Sequence, residues 1–435
     1  MVFHSLTKRV MINMVTVRRI TGIGVFIWLV CAIVYSFEYM LRVSSNTLHD
    51  FFLASPYHMT ETSFGWISAI FYITYMLMQL PAGFLIDRYG IKSVMFISTL
   101  LMTIAMAVFA QSTSDLWLFI ARALAGIGGG FAFLSALKSL ALWFPPRFFS
   151  MFTGLTQLFL YVGAVFAQLP LLALIHHFNG VMPVFFGLFV FSGILTLSTL
   201  LIKRHPHFKK NLRLTPAISM TQQLKQMLLL LTNRQLLLNG LYCFMIFGTT
   251  ALFADLWATR YLTSVYQISK IQASIAPSLI FVGVGFFSPI WGGLASVFKN
   301  ERQLMMIAAV LSVIVTLITL YYGHHLWLLY SACFLFGGMQ AVHVLNFANL
   351  RHHVPAEQMG TGLAFINLFI PLSGAVLQPI SMYLATFFQT FLTHDVALMA
   401  TMAIVPILGV IAFFIGMLIH DTSKLEQHAE TVYQS

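Results

Sequence analysis

The sequence predicts an all-α, polytopic membrane protein of about twelve transmembrane helices in two pseudo-symmetric six-helix bundles. Composition, run length and charge placement carry that prediction. Of the 435 residues, 59% are hydrophobic and 8% charged, against roughly 25% charged in an ordinary soluble domain. Apolar runs of about 20 residues recur along almost the whole chain, the length a helix needs to cross lipid. An outer-membrane barrel would alternate polar and apolar residues in strands of about ten, and that pattern is absent.

The net charge of +11 follows topology and implies no nucleic-acid partner. With both termini cytoplasmic, inner segments hold Lys8, Arg9, Arg18, Arg19, Arg88, Lys92, Arg147, Lys299, Arg302, Arg351 and Lys424. Seven more basic residues lie between Lys203 and Arg234, whereas the outer loops hold only Arg260 and Lys270. Cys31, Cys243 and Cys333 each sit inside a predicted span without metal-ligand spacing, so no disulfide framework, metal or cofactor is expected.

Taken in order, the basic N-terminal flank reads as an uncleaved anchor before span 1, near 20–46. An outer polar loop with Asp50, His58 and Glu61 follows, and Thr60 or Thr62 can cap span 2. Spans 3 to 6 fall near 93–111, 115–143, 149–175 and 181–202. The basic stretch 203–234 is a cytoplasmic linker with an amphipathic piece around 220–231. Six further spans start near 235, 270, 303, 326, 359 and 396, and a tail runs from 421 to 435. The expected domains are therefore 1–202, the linker 203–234, 235–420 and the tail.

Span 2 ends in Gly83-Phe-Leu-Ile-Asp87-Arg88-Tyr-Gly90-Ile-Lys92, where glycines permit a tight turn and close helix approach. This segment resembles the loop 2-3 signature of the major facilitator superfamily, Gly-x-x-x-Asp-Arg-x-Gly-x-Lys/Arg, at every defining position. Arg122-Ala-Leu-Ala-Gly126-Ile-Gly128-Gly129-Gly130 is similar to the superfamily's Arg-x-x-x-Gly-x-Gly element in span 4. Gly292 to Lys299 echoes the first signature, with Ser296 in place of Asp87. Thr153-Gly154-Leu155, Gly163-Ala164-Val165 and Gln168 recur as Thr361-Gly362-Leu363, Gly374-Ala375-Val376 and Gln378, so spans 5 and 11 echo one another.

The candidate site begins in span 1. Tyr35, Glu38, Tyr39 and Arg42 share one helix face by their spacing. An ionisable group at the centre of a membrane helix costs roughly 2.5–3.5 kcal/mol on insertion scales, so this stripe must face protein, water or a ligand. Arg42 can hold a carboxylate or phosphate bidentately, and Lys138 would add a point charge or snorkel to the lipid surface. Tyr39, Tyr75, Gln79, Gln157, His343, Asn346 and Asn367 are the polar candidates for orienting a small anionic or zwitterionic substrate. Glu38, and less directly Asp255, are the candidate proton-coupling carboxylates. Gly83, Asp87, Arg88, Gly90, Lys92 and Arg122 form the conformational motif that the resemblance implies.

The span 1 pattern, Gln79-x-Pro81 and Trp143-Phe-Pro resemble the anion:cation symporter and organophosphate antiporter branches. They are also similar to nutrient and siderophore carriers of intracellular gammaproteobacteria. The resemblance implies a monomeric secondary transporter of a bacterial inner membrane, most simply a proton-coupled symporter of an organic anion, amino acid or polycarboxylate siderophore. Its partners would be a small-molecule substrate, protons and the lipid bilayer. An exchanger or exporter is the alternative, though the Gly-x-x-x-Gly-Pro run common in antiporters is missing from 163–170. A transporter-derived sensor would be expected to add a signalling domain, and the tail is too short for one. No nucleophile-base set or phosphate-binding loop suggests an enzyme.

Overall fold

The computed structural model describes residues 20–54, 56–145, 148–203, 225, 229–298, 300–322, 325–350, 353–354 and 359–420, and among them every regular element is helical. Most of the linker, the tail, Arg147, Lys299 and Arg351 lie outside the described residues, as do the side chains of Asp87, Ser296 and Thr361. The first half comprises α1 (Gly22–Val43), α2 (Ser45–Leu53), α3 (Glu61–Phe109), α4 (Asp115–Gly129), α5 (Ala132–Trp143), α6 (Phe149–Phe166), α7 (Leu169–His177) and α8 (Val181–Leu200). In the second half α9 (Arg234–Leu252) runs through a π-helical turn, Phe253–Trp257, into α10 (Ala258–Val265). There follow α11 (Lys270–Phe298), α12 (Glu301–Tyr321) and α13 (Leu326–Gln340), then a 3-10 turn, Ala341–His343, and α14 (Val344–Leu350). The last helices are α15 (Met359–Phe388), α16 (His394–Met402) and α17 (Ile404–Leu418).

Local sequence sets the ends. Thr21 and Thr60 cap α1 and α3 by accepting from the Gly24 and Ser63 backbone N–H groups at 3.1 Å each. Asn233 and Asn300 do the same for α9 and α12. The long α3 is two limbs joined at Gly90, whose φ of 81° and ψ of 160° break the helix where a side chain would be strained. Among the described residues ten helical stretches are long and apolar enough to cross a membrane, or eleven if the pair bent by 42° at α6 and α7 counts as one span. The limb 61–89, about 40 Å long at 1.5 Å per residue, lies beside them and carries the more polar stripe. On α8 the exposed residues Phe186, Val190, Ile194 and Leu197 follow one face, as a lipid-facing helix requires.

Within the first half α3 packs on α4 and α8, and α1 on α5 and α6. In the second, α11 packs on α13, α9 on α15 and α17, and α12 on α13 and α17. The halves meet through two matching seams, α3 on α15 and α6 on α11. Both seams use a glycine facing a tyrosine: a Cβ on Gly374 would lie 2.5 Å from Tyr72 Cδ1, and one on Gly285 3.3 Å from Tyr161 Cδ2.

Some expectations are corrected. The outer stretch near Asp50 is not a loop, because the chain re-enters helix at Ser45 and Asp50 belongs to α2. Close approach does not explain Gly83, since an added Cβ would meet nothing within 4 Å there.

Candidate functional site

Glu38 and Arg42 sit one turn apart on α1, and both are buried, with 0% and 3% exposure. Arg42 Nε donates to Glu38 Oε1 at 2.9 Å, and Nη2 donates to the same oxygen. The other carboxylate oxygen, Oε2, is buried without a hydrogen-bond partner. Three tyrosines enclose the guanidinium. Its carbon lies 4.0 Å from the Tyr75 ring centre, 4.8 Å from Tyr39 and 5.8 Å from Tyr72, a cation held against aromatic faces. In this conformation the pair is therefore buried among aromatic side chains.

Tyr72 carries the contact into the second half. Its hydroxyl donates to Asp255 Oδ2, while Oδ1 is buried and unpartnered. Asp255 belongs to the π-helical turn, an insertion that re-aims side chains and recurs at functional sites. Two carboxylates from opposite halves thus flank one guanidinium, each with one engaged oxygen and one without a donor.

The supporting shell is built from the span 4 element. A Cβ on Gly129 would lie 2.2 Å from Glu38 Cγ, so the glycine makes the space the carboxylate occupies. Arg122 does not contact that carboxylate. It donates to Leu41 O and Ser45 Oγ at 2.5 Å, and to Arg42 O and Ile67 O at 3.4 Å. These bonds satisfy carbonyls at the C-terminal end of α1, where helix carbonyls lack partners, and so hold the α1–α2 junction beside Arg42.

Gln79 and Asn367 form a further bridge between halves: Gln79 Nε2 donates to Gly130 O, and Asn367 Nδ2 donates to Gln79 Oε1, both at 3.4 Å. Gln157 is half-buried on α6. His343 Nδ1 lies 2.9 Å from Gln340 O, with its ring against Phe247, so it serves the interior of the second half. Asn346 is fully buried there, and its backbone carbonyl accepts from Asn239 Nδ2 at 2.9 Å. Lys138 is placed elsewhere. It lines a cavity of about 30 Å³ with Ile86, Gly90, Lys92, Trp143 and Lys203, at the end of the molecule that bears the Gly90 break. Of the expected signature, Lys92 Nζ donates to Leu200 O, and Arg88 is exposed over the Phe84 and Tyr89 rings.

Sequence reasoning missed the parts that tie the halves together. By helical spacing Tyr72 shares a face with Tyr75 and Gln79, and nothing else in the sequence marks it. Asn46 at the end of span 1 and His49 beyond it, both buried, carried no signal beyond being polar, and buried Gln168 was marked only by its part in the echo between spans 5 and 11.

Membrane-length helices in two halves that meet around a buried guanidinium fit one class, a polytopic membrane transporter. The chain belongs to the Major Facilitator Superfamily, whose model matches residues 27–376 and 256–431. It is similar to the probable galactarate/D-glucarate transporter GudP of Escherichia coli, at 24% identity over 403 residues, 83% of this chain and 87% of that one. The uncharacterized transporter YybO of Bacillus subtilis is 37% identical over 94 residues, 22% of each chain. For YybO and two further relatives the matched stretch spans 22–29% of their own length. Among solved structures the nucleoside transporter NupG aligns with a TM-score of 0.73 at 15% identity, covering 91% of this chain and 100% of that one. The D-xylose-proton symporter aligns with 0.72 at 16%, covering 91% and 98%. At such identities the likeness is one of fold.

Proposed function

We propose that the chain is a proton-coupled symporter of a small organic anion, working by alternating access. The observation that supports this most is Arg42, a buried cation paired with a carboxylate one turn away and held in a ring cage that reaches Asp255 of the other half. A proton on Glu38 would free the guanidinium to bind a substrate carboxylate bidentately, and loss of that proton would restore the internal pair and expel the anion. Asp255, with one unpartnered oxygen, is the second carboxylate able to take a proton, through which the second half would sense the first. Tyr39, Tyr75, Gln79 and Asn367 would orient the substrate. The chain's similarity to a probable galactarate/D-glucarate transporter and a probable sulfoacetate transporter supports an anionic solute.

In this reading residues 1–202 and 235–420 rock about the two matching seams, with 203–234 as the linker. The basic residues on one side support cytoplasmic termini, and the membrane in this reading is a bacterial inner membrane. The Gly90 end then faces inward and the α2 end outward. The test is thermal stabilisation of purified protein across a panel of aldarates, sulfonates, amino acids and phosphates, since a ligand that binds the folded state alone raises its apparent stability. Stabilisation by a carboxylate, lost in Arg42→Gln, is the expected result. Equal stabilisation of wild type and Arg42→Gln would remove Arg42 from the site.

A further inference from the structure

At the end remote from the Gly90 break, polar side chains that the central site does not use tie the halves together. Asn46 Nδ2 donates to Gln168 Oε1 at 2.6 Å and Thr259 Oγ1 at 2.8 Å, and its Oδ1 accepts from the Thr259 backbone N–H at 3.0 Å. Beside it His49 is 2% exposed, with Nδ1 3.0 Å from Asp50 Oδ1 and Nε2 2.9 Å from Glu61 Oε2. From the second half, Arg260 Nη1 reaches Glu61 Oε1 at 2.5 Å and His49 Nε2 at 2.9 Å, and Lys270 Nζ reaches Asp50 Oδ2 at 3.0 Å. Phe64 and Trp257 close over the imidazole, with centroids at 4.9 and 6.1 Å. The other charged or titratable groups on neighbouring elements face elsewhere: His176 of α7 meets Phe51, Asp255 holds Tyr72, and Arg122 bonds Ser45.

One atom here has two claimants. Nε2 of His49 bonds Glu61 only if it carries a hydrogen, and bonds Arg260 only through a lone pair. Neutral imidazole gives its Nδ1 hydrogen to Asp50 and accepts from Arg260, so Arg260 joins Glu61 and His49 across the halves and two carboxylates balance two cations. Imidazolium donates to both carboxylates from within their own half, offers Arg260 nothing and sets a positive charge against it. We infer that His49 is a proton-binding site distinct from Glu38 and Asp255, and that its protonation releases this latch between the halves.

The latch carboxylates would not respond in the same range. Burial opposes the ionisation of Glu61, but the hydrogen bond and charge of a protonated His49, together with the charge of Arg260, outweigh it and hold its pKa below the usual carboxylate value. Asp50, opposed by burial likewise, is held well below by His49 and Lys270. Depressed carboxylates keep their full contribution above the ordinary carboxylate range, about pH 4, and lose it only as pH falls through the lowered value. The choice of the outer side rests on the orientation proposed above; the latch itself does not.

The experiment is a spin-label distance measurement on the full chain in lipid nanodiscs. Cys31, Cys243 and Cys333 are replaced, and nitroxides are placed at the exposed latch-end positions Gln111 and Thr390, one in each half. On moving from about pH 7.5 to about pH 5.5, the longer-distance population should rise several-fold in the wild-type background. In His49→Gln, whose amide imitates the neutral ring, it should stay flat, and in Glu38→Gln the response should persist. An unchanged wild-type distribution overturns the inference, as does a response that survives in His49→Gln or disappears in Glu38→Gln. Because the readout is conformational, failure of proton-driven uptake would leave this result standing and would count against the central site alone.

Discussion

The Tyr72 hydroxyl donates to Asp255 Oδ2 across 183 residues of sequence, while the same ring lies 5.8 Å from the Arg42 guanidinium. One side chain of the first half therefore touches the cation of its own half and the carboxylate of the other. Tyr72→Phe keeps the ring and removes the bond, leaving a second Asp255 oxygen without a donor. An unsatisfied buried group costs roughly 1–3 kcal/mol, more when charged. The melting temperature should fall and transport should slow, while anion affinity measured by ligand stabilisation stays within a few-fold.

Removing the cation should destabilise more than removing the pair. Arg42→Ala strands the Glu38 carboxylate in the interior, and breaking a buried ion pair by deleting one partner costs about 3–5 kcal/mol. The double variant Glu38→Gln with Arg42→Ala should recover much of that loss. Chemical denaturation in detergent checks the order; a double variant less stable than Arg42→Ala would show that the two side chains do not stabilise each other as a pair.

Two glycines of the family elements should behave oppositely. Gly129→Ala drives a methyl to 2.2 Å from Glu38 Cγ, and overpacking of this kind costs about 1–3 kcal/mol. Gly83→Ala meets nothing and improves helix propensity, so the melting temperature should hold or rise. Thermal unfolding of the two variants side by side distinguishes them.

Arg122 acts through backbone, so its loss should move stability without moving proton dependence. Hydrogen bonds from charged donors are worth about 1.5–3 kcal/mol each, and Arg122→Gln forfeits several to the α1–α2 junction. The residual uptake should keep the wild-type pH profile. A shifted profile would place Arg122 in the proton path.

Much of the fold was legible because lipid imposes length and apolarity on each span, and Gly90, Thr60 and the basic residues punctuate them. The Glu38–Arg42 pair was legible too, since an i, i+4 relation is fixed by the helix itself. What spans the halves was not: the Tyr72–Asp255 and His49–Arg260 contacts join residues 183 and 211 apart, and a single sequence carries no trace of such proximity. Helical spacing likewise told which residues share a face with Lys138 but not which end of the molecule that face borders. The break between α1 and α2 was hidden because Ser45 to Leu53 is too polar to read as a continuation of the span, yet Arg122 and Asn46 supply the bonds that hold it.

The most direct test of the account is uptake into proteoliposomes under an imposed pH gradient, acid outside, with the anion that best stabilises the purified protein. Wild type should accumulate it above the external concentration, and Glu38→Gln should exchange it across the membrane without accumulating it. Accumulation by Glu38→Gln at the wild-type level would contradict the claim that the carboxylate paired with Arg42 carries the coupling proton.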